Sequence, residues 1–487
     1  MNILLLNPPW LKNNREGVRA GSRWPYTMEK LTEEATIPFP FFLAYACALL
    51  TQKGYDAELL DGVALRMSIE QFFNELKNYT PEVIIMETST SSYTFDIEIA
   101  KKIKSLFPTS KFVFGGYHAS VFPHEILSEQ NFVDYVLIGE YEYTLLELVK
   151  YLTNKENESN IPGIALRIDG NVKINPRQPL INDLDILPYP ARNLKSIYRY
   201  NDIFCKYRPN VQIITSRGCV YKCPFCICPR VMYNGFNWRA RNPINVVNEI
   251  EFLLENYDFK EFYFDDDTTN LKLSHIENIT KEIKNRKLNI AWSFMGHTGN
   301  ITKEFLELAK SSGCEGIKFG VETGSPEILK TLHKGITLEK AKMVFKWCKE
   351  IGIRTHATFT VGLPGETKKT IQDTINFMLE IDSDSLQISF VTPFPGTELY
   401  QLAKEKGWLI DNDWSGYDGA IAPTMRTEKL SHTELINLYQ KIQIVWHRHE
   451  LKRLLIKIIE NKWEYLRKIL CHPFLALNKL CEIIVKK

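Results

Sequence analysis

The chain lacks any apolar run long enough to cross a bilayer. Its longest, IPFPFFLAYACALL (37–50), contains two prolines and falls short of the roughly 20 residues that a spanning helix needs. Net charge is also nearly absent, +2 over 487 residues, so the basic footprint of a dedicated nucleic-acid binder is missing. No short-period repeat or low-complexity tract occurs, which excludes solenoids and arrays. The ten cysteines are scattered, without the dense spacing of a disulfide scaffold, and suit a reducing compartment. The start, MNILLLNPPW, reads as a buried strand and a turn. It has neither the basic n-region nor the small-residue cleavage site of a signal peptide, so a cytoplasmic location is expected.

What is present is an ordinary globular composition, 44% hydrophobic and 24% charged, on a chain long enough for two to four domains. Residues 1–150 alternate apolar strands, NILLLNPP, DAELLDG, VIIMETSTSS, KFVFGGYHAS and DYVLIGE, with segments of helical spacing. That alternation predicts a doubly wound parallel sheet covered on both faces, with ligands outside the carboxyl ends of its strands. Asn7, Pro8, Thr88, Ser89, Gly115, Gly116, His118, Gly139 and Glu140 fall at those ends. Residues 151–205 read as a linker with one small hairpin around Asp169-Gly170. Six further strand–helix units follow within 206–415, beginning at VQIITS, EFYFDDD, IAWSFMGHT, GIKFGVETGS, RTHATFTVGLPG and SLQISFVTPFPG. They predict an incomplete parallel α/β barrel with its active site at the strands' carboxyl ends.

The region 416–487 is helical in pattern. From Arg448 onward it holds ten Lys/Arg against four Asp/Glu, interleaved with Trp463, Leu and Ile. A basic amphipathic helix can lie on an anionic membrane surface. An ordinary solvated face packed on the barrel accounts for the pattern equally well.

The chemistry announces itself in SRGCVYKCPFC, where Cys219, Cys223 and Cys226 stand with spacing C-x3-C-x2-C on the predicted loop after the first barrel strand. Three thiolates hold three irons of a cubane and leave the fourth iron open, as an open position defines a catalytic zinc site. A zinc knuckle would want a fourth Cys or His in a C-x2-C pair. Cys228 follows two residues later as a bystander.

This spacing, with the aromatic Phe225 before the last cysteine, resembles the radical S-adenosylmethionine (radical SAM) superfamily. The resemblance continues along the barrel. It places Asp265, Asp266 and Asp267 of FYFDDDTTN near the amino end of SAM, and Glu322 and Ser325 of GVETGS near its ribose or carboxylate. Gly362, Leu363 and Gly365 of VGLPGET fall near its adenine. It implies a 4Fe-4S cluster that passes an electron to the sulfonium of SAM, releasing a 5′-deoxyadenosyl radical. A low-potential donor such as flavodoxin or ferredoxin would supply that electron.

A doubly wound domain ahead of such a barrel resembles the cobalamin-binding radical SAM enzymes, the class B methylases, over about residues 1–400. NPP, ETSTSS, GGYHAS and GEYEYT all look like that family, and imply a cobalamin lying across the sheet edge. The D-x-H-x-x-G cobalt-ligand motif is absent: Gly116 and Val121 stand where its Asp and last Gly belong. His118 is therefore expected to touch the cofactor's tail or to make a structural hydrogen bond. The implied reaction is methylation of an sp3 carbon, the substrate radical taking methyl from methylcobalamin. Rival readings are a cobalamin-dependent radical cyclase or rearrangement enzyme, and a non-catalytic cobalamin-binding sensor. Methylthio transfer is disfavoured, since only Cys47 and Cys205 precede the triad, and auxiliary clusters are disfavoured because only Cys471 and Cys481 lie in the tail. For the substrate, the basic tail points to a lipid or membrane-derived molecule such as an isoprenoid, and a sugar, a peptide or a natural-product intermediate fits equally well.

Overall fold

The computed structural model describes residues 1–19, 25–154, 160–410 and 413–460. In the N-terminal half, five parallel strands lie in the order Asp56–Asp61, Asn2–Asn7, Val83–Glu87, Lys111–Gly115, Tyr135–Leu137. Alternate residues of one strand enter different cores. Ile3 and Leu5 join the core on one face, and Leu4 and Leu6 the core on the other. Burial on both faces explains why this strand reads as an unbroken apolar run rather than an alternating one. The first strand is flanked by the second on one side and the third on the other. Strand order therefore reverses between Asn2–Asn7 and Val83–Glu87, the crevice where open α/β sheets take their ligands.

The hairpin anticipated in the linker forms, as Ile164–Ile168 and Asn171–Ile174. It does not stand apart: it pairs antiparallel against Tyr135–Leu137 and extends the first sheet to seven strands. The sheet thus runs past residue 150. A second element was not anticipated. Trp10–Lys12, Arg15–Val18 and Tyr26–Met28 make a small antiparallel sheet between the first strand and its helix.

The second half is an open barrel of six parallel strands in sequence order: Asn210–Ile213, Glu261–Phe264, Ala291–Gly296, Cys314–Glu322, Arg354–Val361 and Ser385–Phe390. Outward residues such as Phe262, Phe294, Phe319 and Phe359 pack beneath the helices. Their core is continuous with one face of the N-terminal sheet. The helix His432–Glu460 packs along Lys368–Ile381 and the last barrel strand. Trp446 is buried there, and His449 meets Asp382 at 2.7 Å. No helix among the described residues is long and apolar enough to cross a membrane. The remainder of the basic tail, 461–487, lies outside the described residues.

Candidate functional site

The carboxyl ends of the two sheets face each other across a shared cavity. One wall comes from the N-terminal sheet: Glu87, Thr88, Ser89, Gly116 and Tyr117. The other comes from the barrel: Ser216, Asp265, Asp266 and Asp267. Phe41, Phe42 and Tyr233 close its sides. The crevice predicted by the strand-order reversal is therefore real and opens onto the barrel mouth.

Local geometry explains the residue types on the first wall. Gly116 has φ 92°, and a Cβ there would stand 2.8 Å from the Thr88 carbonyl oxygen, so only glycine fits. Thr88 Oγ1 donates to Asp96 at 2.8 Å, and the Ser89 and Ser92 hydroxyls meet at 2.9 Å. Burial pushes Glu87 up to about 7, and Tyr141 donates to it at 2.7 Å. Asn7 donates to Asp61 at 2.9 Å, while the Pro8 carbonyl accepts from Arg19 at 2.8 Å.

Arg19 carried no signal in the sequence and is the principal residue missed. It is 3% exposed, lines the cavity and lies 3.3 Å from Asp96. Its Nε and Nη1 meet no hydrogen-bond partner among the described residues. Orphaned donors, small hydroxyls and a glycine cradle together fit a flat ligand rimmed with amide groups, as a corrin is.

Gly115, His118, Gly139 and Glu140 stand off the cavity wall. Glu140 is buried and accepts from Arg217 at 2.6 Å and from Arg239 at 2.8 Å, both on the barrel side. Gly139, at φ 74°, backs onto the Met232 carbonyl oxygen, which also accepts from the Glu140 amide at 3.2 Å. This pair joins the domains instead of facing the cavity. His118 stacks on Tyr93 with ring centroids 4.1 Å apart and touches Phe122 and Trp414. Burial holds it neutral, with its pKa down to about 3, and it is absent from the cavity wall. Gly115 lies against the Tyr141 ring.

On the barrel side, a two-stranded ribbon, Ser216–Gly218 with Trp238–Ala240, leads into the cysteine loop. Burial raises the Cys219 thiol and pushes Cys223 up to about 12. Contact with Cys228 and then burial raise Cys226. Thiols raised in this way become thiolates beside strong positive charge, which an iron cluster supplies. Among the described residues no three His, Cys, Asp or Glu side chains converge on one ion position. A cubane takes its thiolates on three separate irons, so such convergence is not required of the triad. Phe225 packs with Ile328, Leu363 and Val391, fixing the loop against the fifth-strand turn.

Of the three aspartates, Asp266 is a tie. It accepts from the Thr215 amide at 2.6 Å and from Ser216 Oγ at 2.8 Å, and burial pushes it up to about 6. Asp267 accepts from the Gly218 amide at 3.0 Å, immediately before Cys219. Glu322 closes the fourth strand at φ 70°, a left-handed conformation costly for a non-glycine residue. Its carboxylate pairs with Lys334 at 2.7 Å and accepts from Thr360 at 2.9 Å. Lys334 also lies in the electrostatic reach of Cys219 and Cys223, and was not anticipated. Ser325 is buried at the start of the following helix. Gly362 and Gly365 adopt φ 92° and 85°. The amides of Gly362 and Leu363 both donate to Glu366, at 2.7 and 3.0 Å.

Comparison with known proteins agrees with this two-part site. The sequence profile of the B12 binding domain matches residues 35–149, and that of the Radical SAM superfamily matches residues 213–378. The chain belongs to the cobalamin-binding radical SAM enzymes. Its cofactors are a 4Fe-4S cluster, SAM and cobalamin. An uncharacterized methyltransferase of Pyrococcus horikoshii is 29% identical over 84% of this chain and 87% of its own length. An anaerobic magnesium-protoporphyrin IX monomethyl ester cyclase of Cereibacter sphaeroides is 26% identical over 90% of this chain and 69% of its own length. The methyltransferase TsrM of Kitasatospora setae, solved with cobalamin and a [4Fe-4S] cluster, shares the fold. Its TM-score is 0.66 at 20% identity, over 83% of this chain and 75% of that one.

Proposed function

We propose that this enzyme is a C-methyltransferase that acts on an unactivated carbon of a polar small molecule. The observation that carries the reading is the shared cavity, with the N-terminal crevice and the barrel mouth as its opposite walls. When bound, the cluster and SAM supply a hydrogen-abstracting radical, and the corrin supplies the methyl group.

In this reading Cys219, Cys223 and Cys226 hold the cluster. Asp265 and Asp267 face the amino end of SAM, while Asp266 keeps the first two barrel strands in register. Glu322, oriented by Lys334 and Thr360, and Ser325 serve the ribose or carboxylate. The Gly362–Gly365 turn, pinned by Glu366, presents a glycine surface to the adenine. Thr88, Ser89, Gly116 and Arg19 receive the corrin, and Phe41, Phe42 and Tyr233 help exclude water from the radical.

The polar character of the substrate rests on the barrel's inner face. Along the fifth and sixth strands the inward positions are His356, Thr358, Thr360, Ser385, Gln387 and Ser389, while Ala357, Phe359 and Val361 point to the core. Closed barrels fill that space with Val, Ile and Leu. A hydrogen-bonding lining supports a polar substrate over the lipid suggested by the tail. A low-potential donor such as flavodoxin or ferredoxin supplies the electron in this reading, in a cytoplasmic setting.

The likeness to a cyclase favours one rival, radical ring closure without methyl transfer. Anaerobic turnover with SAM and dithionite separates the two. Methyl transfer yields S-adenosylhomocysteine together with 5′-deoxyadenosine, whereas 5′-deoxyadenosine alone supports the cyclase.

A further inference from the structure

Glu87 ends the third strand of the N-terminal sheet, Val83–Glu87, at the edge where the crevice opens. It lines the cavity between the two sheets with only 7% of its surface exposed. One carboxyl oxygen is occupied: Oε1 accepts from the Tyr141 hydroxyl at 2.7 Å. Tyr141 is wholly buried, and burial raises its pKa, so it remains a donor. Oε2 takes no hydrogen bond among the described residues, and the cavity is where it can find a partner. Burial is the largest influence on the charge of Glu87 and carries its pKa from 4.5 to about 7, against the Tyr141 hydrogen bond. Glu142, ion-paired to Arg217 at 2.7 Å, adds to the rise. Arg19 pulls the other way, but it lies 3.3 Å from Asp96 and forms no ion pair with Glu87. Asp265, Asp266 and Asp267 face Glu87 from the barrel wall of the same cavity.

We propose that Glu87 binds cobalamin as a neutral acid, its Oε2–H donating to an amide carbonyl at the rim of the corrin. This rests on the preceding reading, in which the crevice receives the corrin. Gly116 keeps the approach open, since a Cβ there would stand 3.4 Å from Glu87 Cβ. The donor count closes: the Tyr141 O–H donates to Oε1 and the Glu87 O–H donates to the ligand, each hydrogen used once. A carboxylate has no hydrogen to give, so only the neutral form makes this contact. A ring laid over this wall also displaces the water that remains at Glu87, which penalises the charged form further. Cobalamin binding is therefore coupled to uptake of a proton. Affinity is full below the pKa of the free protein and declines as pH rises through it.

The test is a titration of the full-length, cluster-reconstituted protein with methylcobalamin in the dark, read by visible absorbance from pH 6 to pH 9. Wild-type affinity is expected to fall about ten-fold or more across that range, the linkage of one proton to binding. Glu87→Gln offers an oxygen to Tyr141 and an N–H to the ligand at every pH. It binds with a flat pH profile, and more tightly than the wild type at pH 9. Calorimetry of the wild type at pH 8, in two buffers of different ionisation enthalpy, reads the proton taken up and needs no variant to fold. Wild-type affinity independent of pH, a slope that survives in Glu87→Gln, or binding without proton uptake each overturns the proposal. Gly116→Ala tests the underlying reading separately: full corrin binding in that variant removes this rim from the site, and the proposal with it.

Discussion

Glu140 and Arg217 meet at 2.6 Å across the boundary between the two sheets, each side chain only 2% exposed. Arg217 also reaches Glu142 at 2.7 Å and lies over the rings of Phe42 and Tyr45. It precedes the cysteine loop by two residues, so the pair ties the N-terminal sheet to the cluster loop. Removing one partner of a buried pair strands the other charge, at a cost of about 3–5 kcal/mol. Arg217→Met is therefore expected to lower unfolding stability by about that amount, checked by denaturant titration. Arg217→Met combined with Glu142→Gln recovers part of the loss, since Glu140 still has Arg239 at 2.8 Å.

Glu366 gives stability a pH dependence of its own. Burial pushes its pKa from 4.5 to about 8, against the pull of the Gly362 and Leu363 amides. The folded state thus holds a proton that the unfolded chain releases above 4.5. Its contribution to stability is whole below pH 4.5 and is lost as pH rises toward 8. Glu366→Gln keeps an oxygen for the two amides and has no charge to lose. Melting temperatures measured across that window fall less steeply in the variant than in the wild type.

Gly116 tests the first wall of the cavity. An alanine there places a Cβ 2.8 Å from the Thr88 carbonyl oxygen at φ 92°. Strain of about 1–3 kcal/mol follows, at the rim we propose for the corrin. Gly116→Ala is expected to fold, by circular dichroism, but to bind less corrin per chain by visible absorbance. Full corrin occupancy would remove this rim from the binding site.

Glu322 tests the SAM contacts we propose for the barrel. With its charge gone in Glu322→Gln, a charged hydrogen bond worth about 1.5–3 kcal/mol is lost, and SAM affinity drops about ten-fold or more. Calorimetric titration of the reconstituted protein reads this directly, and the cluster content is expected to remain unchanged.

How much of this was legible in the sequence depends on how local each signal is. Central strands of the N-terminal sheet announce themselves as continuous apolar runs because both faces are buried, as in NILLLN and VIIME, whereas the fifth and sixth barrel strands alternate polar and apolar residues. The cysteine triad and the three aspartates are also contiguous. The contacts of Glu140 were not legible, because its arginine partners lie 77 and 99 residues ahead of it. Arg19 follows a short strand, REGV, whose polar start conceals the small sheet that carries it to the cavity. The hairpin around Gly170 was visible, but its attachment to Tyr135–Leu137 depends on edge pairing that no local pattern encodes.

The most direct measurement is the EPR spectrum of the anaerobically reconstituted, dithionite-reduced enzyme, recorded before and after SAM is added. A four-iron signal that SAM alters, and that disappears when Cys219, Cys223 and Cys226 are replaced together by alanine, is the predicted result. A signal indifferent to SAM, or a four-iron cluster that survives loss of the triad, contradicts the account at its root.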